Sequence, residues 1–201
     1  LVGEPTSEDR VGDTIKNGRR GSLNVVITME GKQGHVAYPQ RARNPVTPLV
    51  ETLAALKARR LDEGAPGFDP SNLEVTSVDA GNPAHNVIPQ RISAKLNIRF
   101  NTNHTAETLL TWIDETANAA AARAGGAYSR TISSQGLAFY TLPGPFTGLL
   151  VEAARETFGH APQLATTGGT SDARYFRLYC PMAELGLRNE TAHMVDEHVA
   201  V

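Results

Sequence analysis

At 201 residues, the chain can hold one domain or two small ones, each with an ordinary core. A hydrophobic share of 40% and a charged share of 20% exclude a disordered chain, and no apolar run approaches the roughly 18 residues of a membrane span. The net charge of −2 comes from interspersed charges, with only the short basic cluster "KNGRRGS", so no field suited to nucleic acid is present. The chain opens on Leu1 in "LVGEPTS", without a charged leader and small-residue cleavage pattern, and closes on "EHVAV" without a stop signal. It reads as an internal portion of a longer protein.

After "GEPTS" and a turn-rich stretch, residues 22–31 alternate, with Leu23, Val25, Ile27 and Met29 on one face, as a half-buried strand requires. A loop with Gly34, Pro39 and Asn44 follows. Thr47 is placed to cap a helix with Pro48 at its first position, and Leu49, Val50, Leu53, Ala54 and Leu56 give its apolar stripe. "DEGAPGFDPSN" breaks that helix. Strands are predicted over 73–78 and 90–100, the second alternating Ile92, Ala94, Leu96, Ile98 and Phe100 with Arg91, Ser93, Lys95, Asn97 and Arg99. "AGNPAHNVIP" between them is too rich in Asn, Gly and Pro for a strand centre. A long helix starts near Thr105, turns Leu109, Trp112, Ile113 and Ala117 inward, and ends at Gly125 and Gly126; "YSRTIS" closes the unit as a strand.

The order over 22–134 is strand, helix, strand, strand, helix, strand, the ferredoxin-like α+β pattern. From 135 the chain reads as α/β: a loop with Pro143 and Pro145, a helix over 147–158, the glycine-rich "TTGGTSDARYF", a strand into "CPMAELG" and a final polar cluster. The single cysteine, Cys180, excludes an internal disulfide, points to a reducing compartment, and reads as a small core residue beside that strand. The expected division is 1–20 and 135–201 in one α/β domain, with 21–134 inserted between them.

Four short stretches have the composition of a site. "NETAHMVDEHV" packs two histidines and three carboxylates into eleven residues, the donor mixture that suits zinc. No HExxH helix is present, and the His193 to His198 spacing does not put both on one helical face, so at most one of them is a ligand. "GEPTS" offers Glu4 as a carboxylate at a strand end, or as a solvated cap. "TGGTSD" is either an anion-binding nest of backbone N–H groups or a helix start with Ser171 and Asp172 near the cap. In "GKQGHVAYP", His35 follows a glycine at a strand end, exposed enough for chemistry and equally compatible with loop decoration.

Taken together, "GEPT", "KNGRRGS", "GKQGHVAYPQRARNP", "HNVIP", "LNIRF", "GGTSDARYF" and "NETAHMVDEHV" stand in the order and spacing of one family. The chain resembles the succinyl-diaminopimelate desuccinylases of the two-zinc aminoacylase and carboxypeptidase superfamily, over essentially its whole length. The resemblance implies a partial zinc-peptidase-like α/β catalytic domain carrying an inserted ferredoxin-like βαββαβ dimerisation domain. It also implies a cytoplasmic homodimer with no nucleic-acid or membrane partner. The implied activity is release of succinate from N-succinyl-L,L-diaminopimelate in diaminopimelate and lysine biosynthesis.

Carried over motif by motif, Glu4 and His193 correspond to ligands of the two zinc ions, for which cobalt can substitute. His35 corresponds to the histidine that a dimer partner donates to the oxyanion, a contact worth roughly 3 kcal/mol for donors of this kind. Arg19, Ser22, Tyr38, Asn86, Arg99, Gly169, Thr170 and Asn189 fall where the family binds its substrate. Several substrate carboxylates call for planar cationic forks, which Arg19 and Arg99 provide and lysines could not. The family's His-x-Asp motif and Glu-Glu pair are not in these 201 residues, so the chain alone is expected to be inactive. His85 in "PAHN" stands where some relatives have Asn. The alternatives are a sister enzyme, such as an acetylornithine deacetylase or a general aminoacylase, and a dimerisation module without catalysis.

Overall fold

The computed structural model describes residues 1–169 and 171–199. In chain order its elements are β1 (Thr14–Lys16), β2 (Gly18–Arg19), β3 (Gly21–Glu30), β4 (Gly34–His35), a 3-10 turn (Pro39–Arg41), α1 (Val46–Ala58), β5 (Asn72–Asp79), β6 (Val87–Ile88), β7 (Arg91–Phe100), α2 (Ala106–Arg123), β8 (Ala127–Gly136), β9 (Phe139–Tyr140), α3 (Pro145–Phe158), β10 (Gln163–Ala165) and α4 (Ala173–Phe176). They divide into two compact units. A sheet unit holds 21–64 and 70–136, and a terminal unit holds 1–20, 65–69 and the chain from Leu137 onward.

The sheet unit is a four-stranded antiparallel sheet in the order β5-β7-β3-β8. With α1 and α2 covering one face, this is the split βαββαβ arrangement expected from the sequence. The alternation sets the faces. Leu23, Ile98 and Leu73 lie opposite one another in register on the core side, as do Val25, Leu96 and Val75. The next residues along each strand point the other way. Asn97 donates to the Asn24 side chain at 2.6 Å, and Asn24 donates to the Ser134 hydroxyl at 2.7 Å, a polar ladder across three strands.

The helices differ from expectation in detail. Thr47 is not the cap of α1: the helix starts at Val46 after Pro45, and the Asn44 side chain takes the Val46 N–H at 3.0 Å. Val50 and Ala54 are exposed, and Thr52 is buried in their place, its hydroxyl donating to the Pro48 carbonyl at 2.7 Å. That local bond lets a threonine take a core position. In α2, Leu110 is buried beside Leu109 and Ile113, whereas Trp112 is half-buried with the Arg59 guanidinium 4.9 Å from its ring. Thr105 and Thr108 form a reciprocal cap at its start.

One buried carboxylate ties the loop after α1 to the end of β7. Asp62 accepts N–H groups from Gly64 at 2.7 Å and Ser71 at 3.2 Å, the Asn101 amide at 2.7 Å, and His104 Nε2 at 3.0 Å. Burial alone would raise its pKa, but the donors outweigh burial and hold it down to about 2. A carboxyl depressed in the folded state stabilises above its unfolded pKa and ceases to do so as pH falls through the folded value. Stability measured by urea titration should therefore fall by about 2 kcal/mol between pH 4 and pH 2 from this group. Asp62→Asn should remove that component of the slope; an unchanged acid slope in this variant would contradict the assignment.

In the terminal unit β1 pairs with β10 in parallel and β2 with β9 antiparallel. Ile15, Ala154 and Ala183 form one small core with Leu150, Leu164 and Leu185 packed against it; Phe139, Ala173 and Met182 form another. α3 begins two residues before the predicted start, with Pro145 at its first turn, and closes on Gly159, whose φ of 75° is a left-handed conformation open to glycine at little cost. No strand runs through "CPMAELG" among the described residues. Met182, Ala183 and Glu184 are buried there through isolated bridges of Glu184 to Val2 and Lys16. Cys180 is exposed rather than a core residue, because the chain around it leaves α4 in a turn and not in a strand. No helix is long and apolar enough to cross a membrane among the described residues.

Candidate active site

The sheet unit holds five of the candidate residues in two groups. Ser22 and Arg99 are register partners on β3 and β7. Both lie on the face opposite the helices, with Asn72 of β5 across from Arg99 on its other side. The alternation of β7 dictates this: Ile98 and Phe100 turn to the core, so Arg99 turns away.

The second group is a two-stranded ribbon in which Gly34 pairs with Ile88 and His35 with Val87. The Asn86 carbonyl takes the Val36 N–H at 3.1 Å, and the Tyr38 N–H donates to the His35 carbonyl at 2.9 Å. The His35 and Tyr38 rings are 5.9 Å apart, and the Arg41 guanidinium lies 5.0 Å from the Tyr38 ring. His35, Tyr38 and Asn86 are thereby assembled on one exposed ribbon. The Nδ1 atom of His35 accepts the Ala37 N–H at 3.0 Å. That bond assigns the neutral ring its proton on Nε2, so the exposed end of the imidazole is a hydrogen-bond donor.

The remaining candidates belong to the terminal unit. Glu4 is half-buried on the segment 2–7, which is stitched to 183–189. The Thr6 hydroxyl takes the Gly186 N–H at 3.2 Å and donates to the Thr14 carbonyl at 2.8 Å, and the Ser7 hydroxyl donates to the Gly186 carbonyl at 2.6 Å. Gly186 has no room for a Cβ, because the Glu4 carbonyl oxygen occupies that position. Glu4, Glu197 and His198 line a cavity of about 480 Å³ with Arg188 and Thr191. His193 is not among its lining residues. It is exposed in the turn 191–194 and has φ 66°, a left-handed value unusual outside glycine. Asn189 is exposed, with its carbonyl accepting the Ala192 N–H at 3.1 Å.

Arg19 is largely buried. Its Nε donates to Glu184 Oε2 at 2.8 Å, its Nη2 donates to the same oxygen, and its Nη1 donates to the Thr167 carbonyl at 2.8 Å. Its fork faces a carboxylate of its own chain, a pairing across 165 residues that no local pattern announces. Glu184 is completely buried and also accepts from the Ser171 hydroxyl. Glu184 was missed from sequence because "MAELG" reads as an apolar strand with one solvated acid. Gly169 is exposed on the loop between Arg19 and Ser171, and Thr170 lies outside the described residues.

No three His, Cys, Asp or Glu side chains come together as a metal cage among the described residues. Glu4 and His193 have the right donor chemistry for zinc, but these residues do not by themselves fit a two-metal centre.

The peptidase dimerisation domain of the M20 family matches residues 17–125, more than half of the chain. The chain is 54% identical over its 201 residues to proteins named succinyl-diaminopimelate desuccinylase from Caulobacter vibrioides and Parvibaculum lavamentivorans. It covers 52% and 51% of their lengths, so it spans about half of the curated relatives it matches. A tripeptidase from Staphylococcus aureus shares the fold at TM-score 0.76 and 19% identity, covering 94% of this chain and 48% of that one. An aminopeptidase from Bacillus cereus does so at TM-score 0.75 and 20% identity, covering 90% and 47%. The chain therefore belongs to the M20 peptidase dimerisation-domain family.

Proposed function

We propose that the chain is part of a succinyl-diaminopimelate desuccinylase, a homodimeric cytoplasmic hydrolase that cleaves a linear amide to succinate and a free amine. Identity of 54% along all 201 residues to proteins of that name carries the reading. Within it, residues 1–20 and 135–201 are catalytic-domain parts and 21–134 the dimerisation domain. Glu4 and His193 would be the ligands that this chain contributes to two zinc ions, or cobalt, and such ions would supply Lewis-acid chemistry to the amide.

The chain's own residues have separable tasks. His35 donates its Nε2–H to the oxyanion that forms on the amide carbonyl, and the Nδ1 contact to Ala37 keeps that proton on the outward nitrogen. Arg99, with Ser22 beside it in register, supplies a fork for a substrate carboxylate. Tyr38 and Asn86 flank His35 on the ribbon, Gly169, Thr170 and Asn189 complete the substrate contacts, and Arg19, whose fork is taken by Glu184 and the Thr167 carbonyl, backs that loop instead of meeting a substrate carboxylate. A panel of substrates on the full-length protein tests the reading. Turnover of N-succinyl-L,L-diaminopimelate is expected to exceed that of acetylornithine and of a tripeptide by about 10² or more in kcat/KM, because buried polar groups are left unpaired by the wrong acyl group. Faster turnover of acetylornithine would replace this reading with the sister deacylase.

A further inference from the structure

Glu184 has three properties that a filler residue would not combine. It is completely buried, it pairs with an arginine 165 residues away, and each carboxylate oxygen has a separate partner. Oε2 receives Arg19, and Oε1 receives the Ser171 hydroxyl. Its backbone is fixed as well: the Glu184 N–H donates to the Lys16 carbonyl at 2.8 Å, and its carbonyl takes the Lys16 N–H at 2.9 Å.

These contacts fix Thr167 on one side and Ser171 on the other. Arg19 grips the Thr167 carbonyl from below, and Lys16, itself buried, donates to the Thr167 hydroxyl at 2.6 Å. Gly168 runs against the guanidinium with φ 97°, and a Cβ there would collide with Arg19 Nη1. At the far end, the Ser171 hydroxyl that donates to Glu184 also takes the Ala173 N–H at 3.3 Å, fixing the first turn of α4. A buried ion pair by itself is weak evidence of stabilisation, since apolar packing often does as well. Sharing the carboxylate between Arg19 and a loop hydroxyl is what a positional requirement would need.

Resting on the desuccinylase reading, we propose that Glu184 is a positioning residue. Its carboxylate clamps Arg19 and Ser171 together and so sets the glycine segment 167–169 to receive a carboxylate of the substrate. Glu184 itself touches no substrate and acts through its two partners.

The test uses Glu184→Gln and Ser171→Ala in the full-length enzyme, read by steady-state kinetics and by amide hydrogen exchange. Glu184→Gln keeps the shape but loses the charge; it is expected to raise KM for the succinylated substrate about tenfold, with kcat within about threefold. Exchange at 167–173 should accelerate about tenfold while the sheet unit is unchanged. Ser171→Ala leaves the Arg19 pair intact; it should shift KM and loop exchange in the same direction, and the two effects should combine to less than their sum in the double variant, since both contacts share one carboxylate. Unchanged KM, or unchanged loop exchange, in either variant overturns the proposal. A wild-type enzyme that does not release succinate would refute the functional reading instead, and the exchange arm would still decide whether Glu184 holds the loop.

Discussion

Replacing His35 by alanine in the full-length enzyme is expected to lower kcat for the succinylated substrate by about 10² to 10³, with KM within about threefold. The size follows from the role proposed for the side chain. A donor aimed at charge that exists only in the transition state contributes to kcat and hardly to ground-state binding. The ribbon makes the prediction specific, because the Ala37 N–H occupies Nδ1 and leaves Nε2–H as the outward group. His35→Gln, which retains an N–H donor, should recover part of the loss. Because His35 is exposed on a two-residue strand, neither variant should lower the melting temperature by more than about 2 °C. A kcat within about threefold of wild type for His35→Ala would remove the residue from the reaction.

Truncating Ile98 to alanine should cost about 3 kcal/mol of stability, measured by urea unfolding monitored at the far-UV band. Ile98 is completely buried on the central strand β7, with Leu23 on one side and Leu73 on the other in register. A cavity there faces α1, which packs on β7, and three close-packed neighbours cannot all collapse into it. Ile98→Val should cost only about 1 kcal/mol. A loss below about 1 kcal/mol for alanine would mean that the helical layer is looser than its burial indicates.

The two long strands were legible because one face of each is buried and the other is not. Burial imposes a period of two on β3 and β7, and that period appears directly in Leu23 to Met29 and Ile92 to Phe100. The ferredoxin-like order followed from the elements, since few topologies connect them without crossing. The faces of α1 were less legible. Val50 and Thr52 exchanged expected roles because a threonine that bonds back to its own helix is no longer polar to its surroundings. The ribbon of β4 and β6 is two residues on each side and has no period to detect, so His35, Tyr38 and Asn86 could be grouped only through the family resemblance. The Arg19, Glu184 and Ser171 contacts were invisible for a different reason: they join three segments that meet only when the terminal unit is assembled. Glu4 and Glu197 share a cavity wall for the same reason, whereas the composition of "NETAHMVDEHV" had directed attention to His193.

The assignment of 65–69 to the terminal unit bears on any attempt to cut the protein apart. A gene fragment encoding 21–136 would carry five residues that belong elsewhere, among them Phe68, whose ring stacks edge-on against Tyr140 at 5.4 Å. Expressed alone, such a fragment would present that aromatic to solvent as a sticky tip. The remedy is already built into the knot at Asp62, which gathers the N–H groups of Gly64 and Ser71 onto one carboxylate and so holds the two ends of the excursion close together. A short polar splice from Gly64 to Pro70 would therefore close the fragment without stretching it, and the discarded loop would travel with its true host.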